Sequence, residues 1–145
     1  MGGHLHINVY RQLRDAARRL KDELRLKIEE KGITWPQFHA LFHINEQGVS
    51  VNELAGELHC NASNITGLVD RMTENGWVYR EHSSEDRRVW LIRLTDEGIK
   101  MKENLIPQHN LNIIERMSVL NEGEMMQLLQ LIDKLMYEKT KEDVL

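Results

Sequence analysis

Apolar positions recur at helical spacing along most of the chain, with one short interval where β-branched and aromatic residues crowd together. Leu13, Ala17, Leu20, Leu24 and Ile28 step by three or four residues. They predict one amphipathic helix after a short lead, running to about Lys31 and stopped by Gly32. Thr34-Trp35-Pro36-Gln37 predicts the next start: Thr34 caps, proline is tolerated in a first turn, and Gln37 closes a capping box. Phe38, Leu41, Phe42 and Ile44 are its apolar residues, and Gly48 is its expected end. Ser50 and Glu53 repeat the capping box ahead of Leu54, Ala55 and Leu58. Cys60-Asn61-Ala62-Ser63 then interrupts the pattern. Asn61 or Ser63 caps a further helix with the apolar face Ile65, Leu68, Val69 and Met72, ending before Gly76.

Beyond Gly76 the composition favours strands. Trp77-Val78-Tyr79-Arg80-Glu81 and Val89-Trp90-Leu91-Ile92-Arg93-Leu94 flank the polar run from His82 to Arg88, which predicts a β-hairpin with a long tip. Gly48-Val49-Ser50 is placed to add a short third strand. After the hairpin, Thr95 caps a long helix carrying Met101, Leu105, Ile106, Ile113, Ile114, Met117 and Leu120. Pro107 lies inside it and predicts a kink or a local break, because proline lacks the N–H and crowds the preceding turn. Asn121 and Glu124 mark one more start, followed by Met125, Leu128, Leu129, Ile132, Leu135 and Met136.

Helix, tight turn, helix, strand, polar tip, strand is the order of a winged helix-turn-helix. The expected fold class is mostly α with a small β-hairpin wing (α+β), one domain over residues 1–145. Its winged core covers 32–95, flanked by helical regions at 1–31 and 96–145. On the second helix of the core, Ser63, Asn64 and Thr66 stand beside Ala62 and Gly67. Short hydroxyl and amide side chains there suit close approach to base edges and phosphates in a major groove. The same residues also suit a merely solvated helix start. Arg87 and Arg88 at the hairpin tip suit phosphate or minor-groove contact, with Asp86 as an orienting partner. A solvated charge cluster is the plain alternative.

These residues carry a resemblance to the MarR family of bacterial transcriptional regulators. It rests on Leu54-Ala55, Ser63, Thr66, Leu68-Val69-Asp70-Arg71-Met72 and Gly76-Trp77-Val78. It rests above all on Asp86-Arg87-Arg88 leading through Leu91 into Leu94-Thr95-Asp96-Glu97-Gly98, which looks like the family's wing pattern. The resemblance implies a homodimer that binds double-stranded DNA, usually as a repressor, and leaves it when a small molecule or oxidant acts. It places Ser63, Asn64 and Thr66 on the recognition helix. It makes Arg88 the wing arginine, Asp86 its orienting partner and Arg87 a further contact. The flanking helices become dimerisation helices crossing a two-fold axis, and the DNA a roughly palindromic operator with half-sites about one helical turn apart.

Composition changes this picture little. The chain has 145 residues, 41% apolar and 29% charged, enough for one ordinary domain. The single cysteine forbids an internal disulfide and fits a reducing compartment. No apolar run reaches membrane-spanning length and no leader is visible, so the expected location is cytoplasmic, with no membrane partner. Net charge is −4, and residues 50–94 hold seven acidic against five basic side chains. The cations Arg71, Arg80, Arg87, Arg88 and Arg93 are instead placed singly along the segment, so few phosphate contacts per chain are expected. An acidic winged segment also suits a protein-interaction module, the rival reading. No phosphate-binding glycine loop and no nucleophile elbow occurs, so the chain reads as no enzyme and implies no cofactor.

In the resemblance an effector pocket lies between the dimer helices and the winged core. Tyr10, Trp35, Phe38, His39 and Phe42 are the residues that would line it, for a planar aromatic or phenolic compound; each also suits plain core packing. His39 and His43 are four apart, and His109 would join them in a zinc-sensing variant, but no carboxylate stands beside His39. Cys60 lies in the turn before the recognition helix. The expected reading is a buried small residue rather than a redox switch, because redox-sensing relatives carry their reactive cysteine in the first helix.

Overall fold

The structure is a computed structural model that describes residues 2–137; Met1 and the part of the C-terminal flank from 138 to 145 lie outside the described residues. Among the described residues nine elements follow in order: α1 (Gly2–Glu29), α2 (Trp35–His43), β1 (Val49–Ser50), α3 (Val51–Glu57), α4 (Ala62–Glu74), β2 (Val78–His82), β3 (Trp90–Leu94), α5 (Asp96–Met117) and α6 (Glu122–Met136). The fold is mostly helical with one three-stranded antiparallel sheet of order β1-β3-β2, the expected α+β class. The chain divides into two compact units, Met1–Asn112 and Ile113–Leu145.

The capping arithmetic holds at three helix starts. Thr34 with Gln37, Ser50 with Glu53, and Asn121 with Glu124 each form a reciprocal box, satisfying donors that a helix start leaves unpaired. Asn61 is the cap of α4: its side chain accepts from the Asn64 N–H at 2.9 Å. Gly32, Gly48 and Gly76 all have positive φ, as helix and turn exits require.

Four expectations need correction. The first helix begins at Gly2 rather than after a short lead, and its stripe buries only Ile28; Leu13 is exposed and Leu24 half-buried. Its ion pairs, Arg14 and Arg18 with Asp15 and Arg19 with Glu23, support this solvated stretch. The second helix ends at His43, five residues before Gly48, because Ile44 is buried at its C-cap in extended backbone. The helix after the wing runs through Pro107 without the local break that was one of the two expected outcomes there. Proline removes one backbone bond, and buried Leu105 and half-buried Ile106 hold that turn against the core. That helix also ends at Met117 rather than reaching Leu120.

One apolar core organises the first unit. It joins Ile28 of α1, Phe38 and Leu41 of α2, Leu54 of α3, Ile65, Val69 and Met72 of α4, Val78 and Ile92 of the sheet, and Leu105 of α5. Ile92 lies on the central strand, paired with Val49 on one side and Arg80 on the other. The hairpin is thereby pinned to the helix-turn-helix. The second unit behaves differently: α6 buries none of its side chains, and Met126, Leu129, Leu131, Leu135 and Met136 are all more than half exposed.

A tight joint fixes where the wing ends. Thr95 accepts from the Gly98 N–H at 3.1 Å, capping α5, and its hydroxyl donates to the Gly76 carbonyl. The Thr95 N–H donates to the Trp77 carbonyl at 3.0 Å. A Cβ on Gly98 would stand 2.0 Å from that same carbonyl oxygen, so only glycine fits. The Leu-Thr-x-x-Gly run therefore locks the start of α5 onto the exit of α4.

Candidate nucleic-acid interface

Two groups of side chains face solvent with donors to spare. At the start of α4, Ser63, Asn64 and Thr66 are all exposed while Ile65, one position inside, is fully buried. Helical geometry produces this split: the buried face repeats at 65, 68, 69 and 72, leaving the intervening residues outside. The Ser63 hydroxyl and the Asn64 side-chain amide make no hydrogen bond among the described residues. The Thr66 hydroxyl donates to the Ala62 carbonyl at 2.9 Å, so its proton is spent and its lone pairs remain. Thr66 thus offers an acceptor only, whereas Asn64 offers both donor and acceptor.

The hairpin tip is built by its own polar residues. Asp86 accepts the Arg88 N–H at 3.0 Å and grips its guanidinium through both carboxylate oxygens, at 3.2 and 3.3 Å. These bonds hold the Asp86 carboxyl below its ordinary range: the Arg88 guanidinium acts most strongly and its backbone N–H adds to it. Arg88 is nonetheless 91% exposed, so the grip aims it outward rather than burying it. The Arg87 side chain has no partner among the described residues, and its carbonyl meets His82 Nδ1 at 2.7 Å. His82 in turn stacks on Trp90, ring centroids 3.7 Å apart, closing the base of the tip.

The five scattered arginines divide into two sets. Arg80 pairs with Asp70 at 2.6 Å, tying the wing to α4. Arg93 Nε lies 2.5 Å from Glu81, and its Nη1 donates to the Glu46 carbonyl at 2.8 Å. These two are committed within the fold. Of the five, Arg71, Arg87 and Arg88 are left exposed to solvent, and Arg71 was not singled out as a contact residue from the sequence. Its signal was its place on α4, seven residues after Asn64 and off the apolar face.

The residues expected around an effector are dispersed. Trp35 and His39 line a cavity of about 540 Å³ with Lys21, His43, Glu57 and Cys60 among its other walls. Phe38 is core, 3% exposed, and contacts Trp35 and His109 edgewise or tilted. Tyr10 is exposed with the Arg14 guanidinium 6.0 Å over its ring, and Phe42 is exposed beside His43; neither lines that cavity. His39 stands at a lowered pKa, first from burial and then from neighbouring His43, His109 and Lys21; burial lowers that of His109 as well. His109 Nδ1 is buried without a hydrogen bond. Among the described residues no three His, Cys, Asp or Glu side chains converge as metal ligands, so His39, His43 and His109 do not form such a group. Cys60 is exposed, contrary to the expected burial, because the turn from α3 to α4 carries it outward; its thiol donates to the Leu58 carbonyl at 3.3 Å.

A three-stranded wing behind a helix-turn-helix, with free polar groups on the second helix and a held arginine at the tip, defines a winged-helix DNA-binding protein. The comparisons with known proteins agree. Residues 33–90 match the model described as MarR family. The HTH-type transcriptional regulator YpoP of Bacillus subtilis is 30% identical over 85% of this chain and 87% of its own length. The HTH-type transcriptional repressor MdtR of the same organism is 29% identical over 81% of this chain and 76% of its own length. The structure of a MarR family protein from Bacillus stearothermophilus superposes with TM-score 0.77 at 29% identity, over 93% of this chain and 95% of that one. The chain belongs to the MarR family. It is a DNA-binding transcriptional regulator and not an enzyme.

Proposed function

We propose that the chain acts as a homodimeric, ligand-responsive repressor on a palindromic operator. Ser63, Asn64 and Thr66 of each chain read one major groove, with Arg71 on a nearby phosphate. Arg88, oriented by Asp86, and Arg87 contact the backbone or minor groove beside it. The observation that carries this reading is the Asp86–Arg88 grip, which fixes a guanidinium outside the fold at 91% exposure. A structural ion pair would turn such a side chain inward. The name of MdtR supports repression.

Dimerisation rests on the flanking helices. Leu5, Ile7, Val9 and Tyr10 on α1 are each about half exposed or more, and α6 buries nothing in the single chain. Apolar faces of that extent are rare on monomers, and a closed two-fold pair is the commonest way to cover them. Residues 32–95 are then the DNA-reading core, with the helices on either side as the dimer region. The Trp35–His39 cavity is the effector site of this reading, suited to a planar aromatic compound that stacks on indole and meets a neutral imidazole. Among the described residues no helix is long and apolar enough to cross a membrane.

The test is titration of the chain against its own upstream DNA and a scrambled duplex, at two salt concentrations, for wild type and Arg88→Ala. The expected result is selective, salt-weakened binding that Arg88→Ala reduces at least tenfold while sedimentation shows an unchanged dimer. Equal binding by both proteins would overturn the assignment of Arg88.

A further inference from the structure

A second cavity, of about 610 Å³, lies between the C-terminal end of α2, strands β2 and β3, and the first three turns of α5. It shares no wall residue with the Trp35 cavity. Its volume falls in the usual range of small-molecule sites, about 300–1,000 Å³. The walls are mainly aliphatic, from Ile44, Leu94, Ile99, Ile106 and Pro107, with Tyr79 as the one aromatic ring. Ile99 and Tyr79 remain 41% and 43% exposed, as residues at an open mouth would be.

One polar group in this cavity is out of balance. Lys102 stands on α5 between Ile99 and Ile106, one helical turn from each, and is half-buried. Its ammonium donates to the Ile44 carbonyl at 2.7 Å and has no carboxylate partner among the described residues. Two of its three donors are left over. Desolvation already lowers its pKa, as expected for a cation held against apolar walls without an anion. The other cation of the cavity is taken: Arg93 is paired with Glu81 and bonded to the Glu46 carbonyl.

We infer that this cavity binds a small aliphatic monocarboxylate, its carboxylate on Lys102 Nζ and its chain along Ile99 and Ile106. A carboxylate supplies the missing countercharge, and a half-buried pair with free donors is stronger than one in open water. The aliphatic walls favour a hydrocarbon chain over a planar ring. Glu46 and Glu103, both exposed at the cavity, repel any second negative charge. The site therefore prefers a monoanion to a dicarboxylate or a phosphate. Binding here touches Tyr79, Arg93 and Leu94, the strands that carry the wing tip.

The experiment is calorimetric titration of the full chain, without DNA, using octanoate, octanamide and octanedioate as probes. Octanoate is expected to saturate one site per chain, with octanamide and octanedioate at least tenfold weaker. Lys102→Met should weaken octanoate at least tenfold and leave octanamide unchanged. Ile99→Asp, at an exposed position, should weaken octanoate similarly with no loss of thermal stability, which covers the case in which Lys102→Met folds poorly. Equal binding of octanoate and octanamide, or no saturable binding, would overturn the assignment. Because no DNA is present, either result leaves the operator-binding reading to its own test.

Discussion

Asp86 and Gly98 show two different ways a single residue shapes this molecule. Asp86 acts through charge. Its carboxylate spends both oxygens on Arg88, yet the guanidinium keeps donors that a phosphate can take. Gly98 acts through absence. The Trp77 carbonyl occupies the space a methyl group would need, and that carbonyl is backbone, already bonded to the Thr95 N–H. Gly98→Ala must therefore push α5 off the strand. We expect it to cost about 3 kcal/mol or more, the upper end for overpacking, read as a lowered midpoint in urea denaturation. A loss under about 1 kcal/mol would show that the joint is soft.

At the level of elements, α2 and α5 meet through Trp35, Phe38, His39 and His109, two of them titratable. Burial lowers the pKa of both imidazoles, so the unfolded chain, near the ordinary 6.5, binds more protons than the folded one. Stability is then complete above that value and falls as pH drops below it. Thermal unfolding should show a midpoint that declines from pH 7.5 to 5.5, with a shallower decline in a His39→Gln, His109→Gln double variant. Identical slopes would remove the histidines from the cause. The capped helix starts, the hairpin and the third strand were legible in the sequence, because caps and strand composition are local, whereas the start of α1, which has no such cap signal, was not. The exposure of Ser63, Asn64 and Thr66 was legible for the same reason: they fall between the apolar positions of an amphipathic helix. Which arginines were free was not legible, since Arg80 and Arg93 find partners 10 and 12 residues away across the fold. Nor was the exposure of Cys60, or the aliphatic cavity, although a lysine flanked by Ile99 and Ile106 at helical spacing was a signal for the latter.

For the molecule as a whole, net charge and DNA binding are reconciled by position. A chain of charge −4 binds a polyanion only if its cations are concentrated where contact occurs. The three exposed arginines of the winged core, Arg71, Arg87 and Arg88, would give six in the proposed dimer. Counterion release then sets a slope of about −5 for log affinity against log salt. Arg87→Ala in both chains should flatten it to about −4, measured by fluorescence anisotropy; an unaltered slope would place Arg87 away from phosphate. The joint at Thr95 and Gly98 bears on how such a regulator is switched. With Trp77 gripped by the first turn of α5, no slack exists between that helix and the wing. A push on α5 is delivered as rotation of a stiff lever, wing included, rather than absorbed by a bending loop. If the chain pairs and answers an effector as proposed, switching becomes a question of angle rather than of local folding, and the spacing of the two reading heads is the quantity the effector would change.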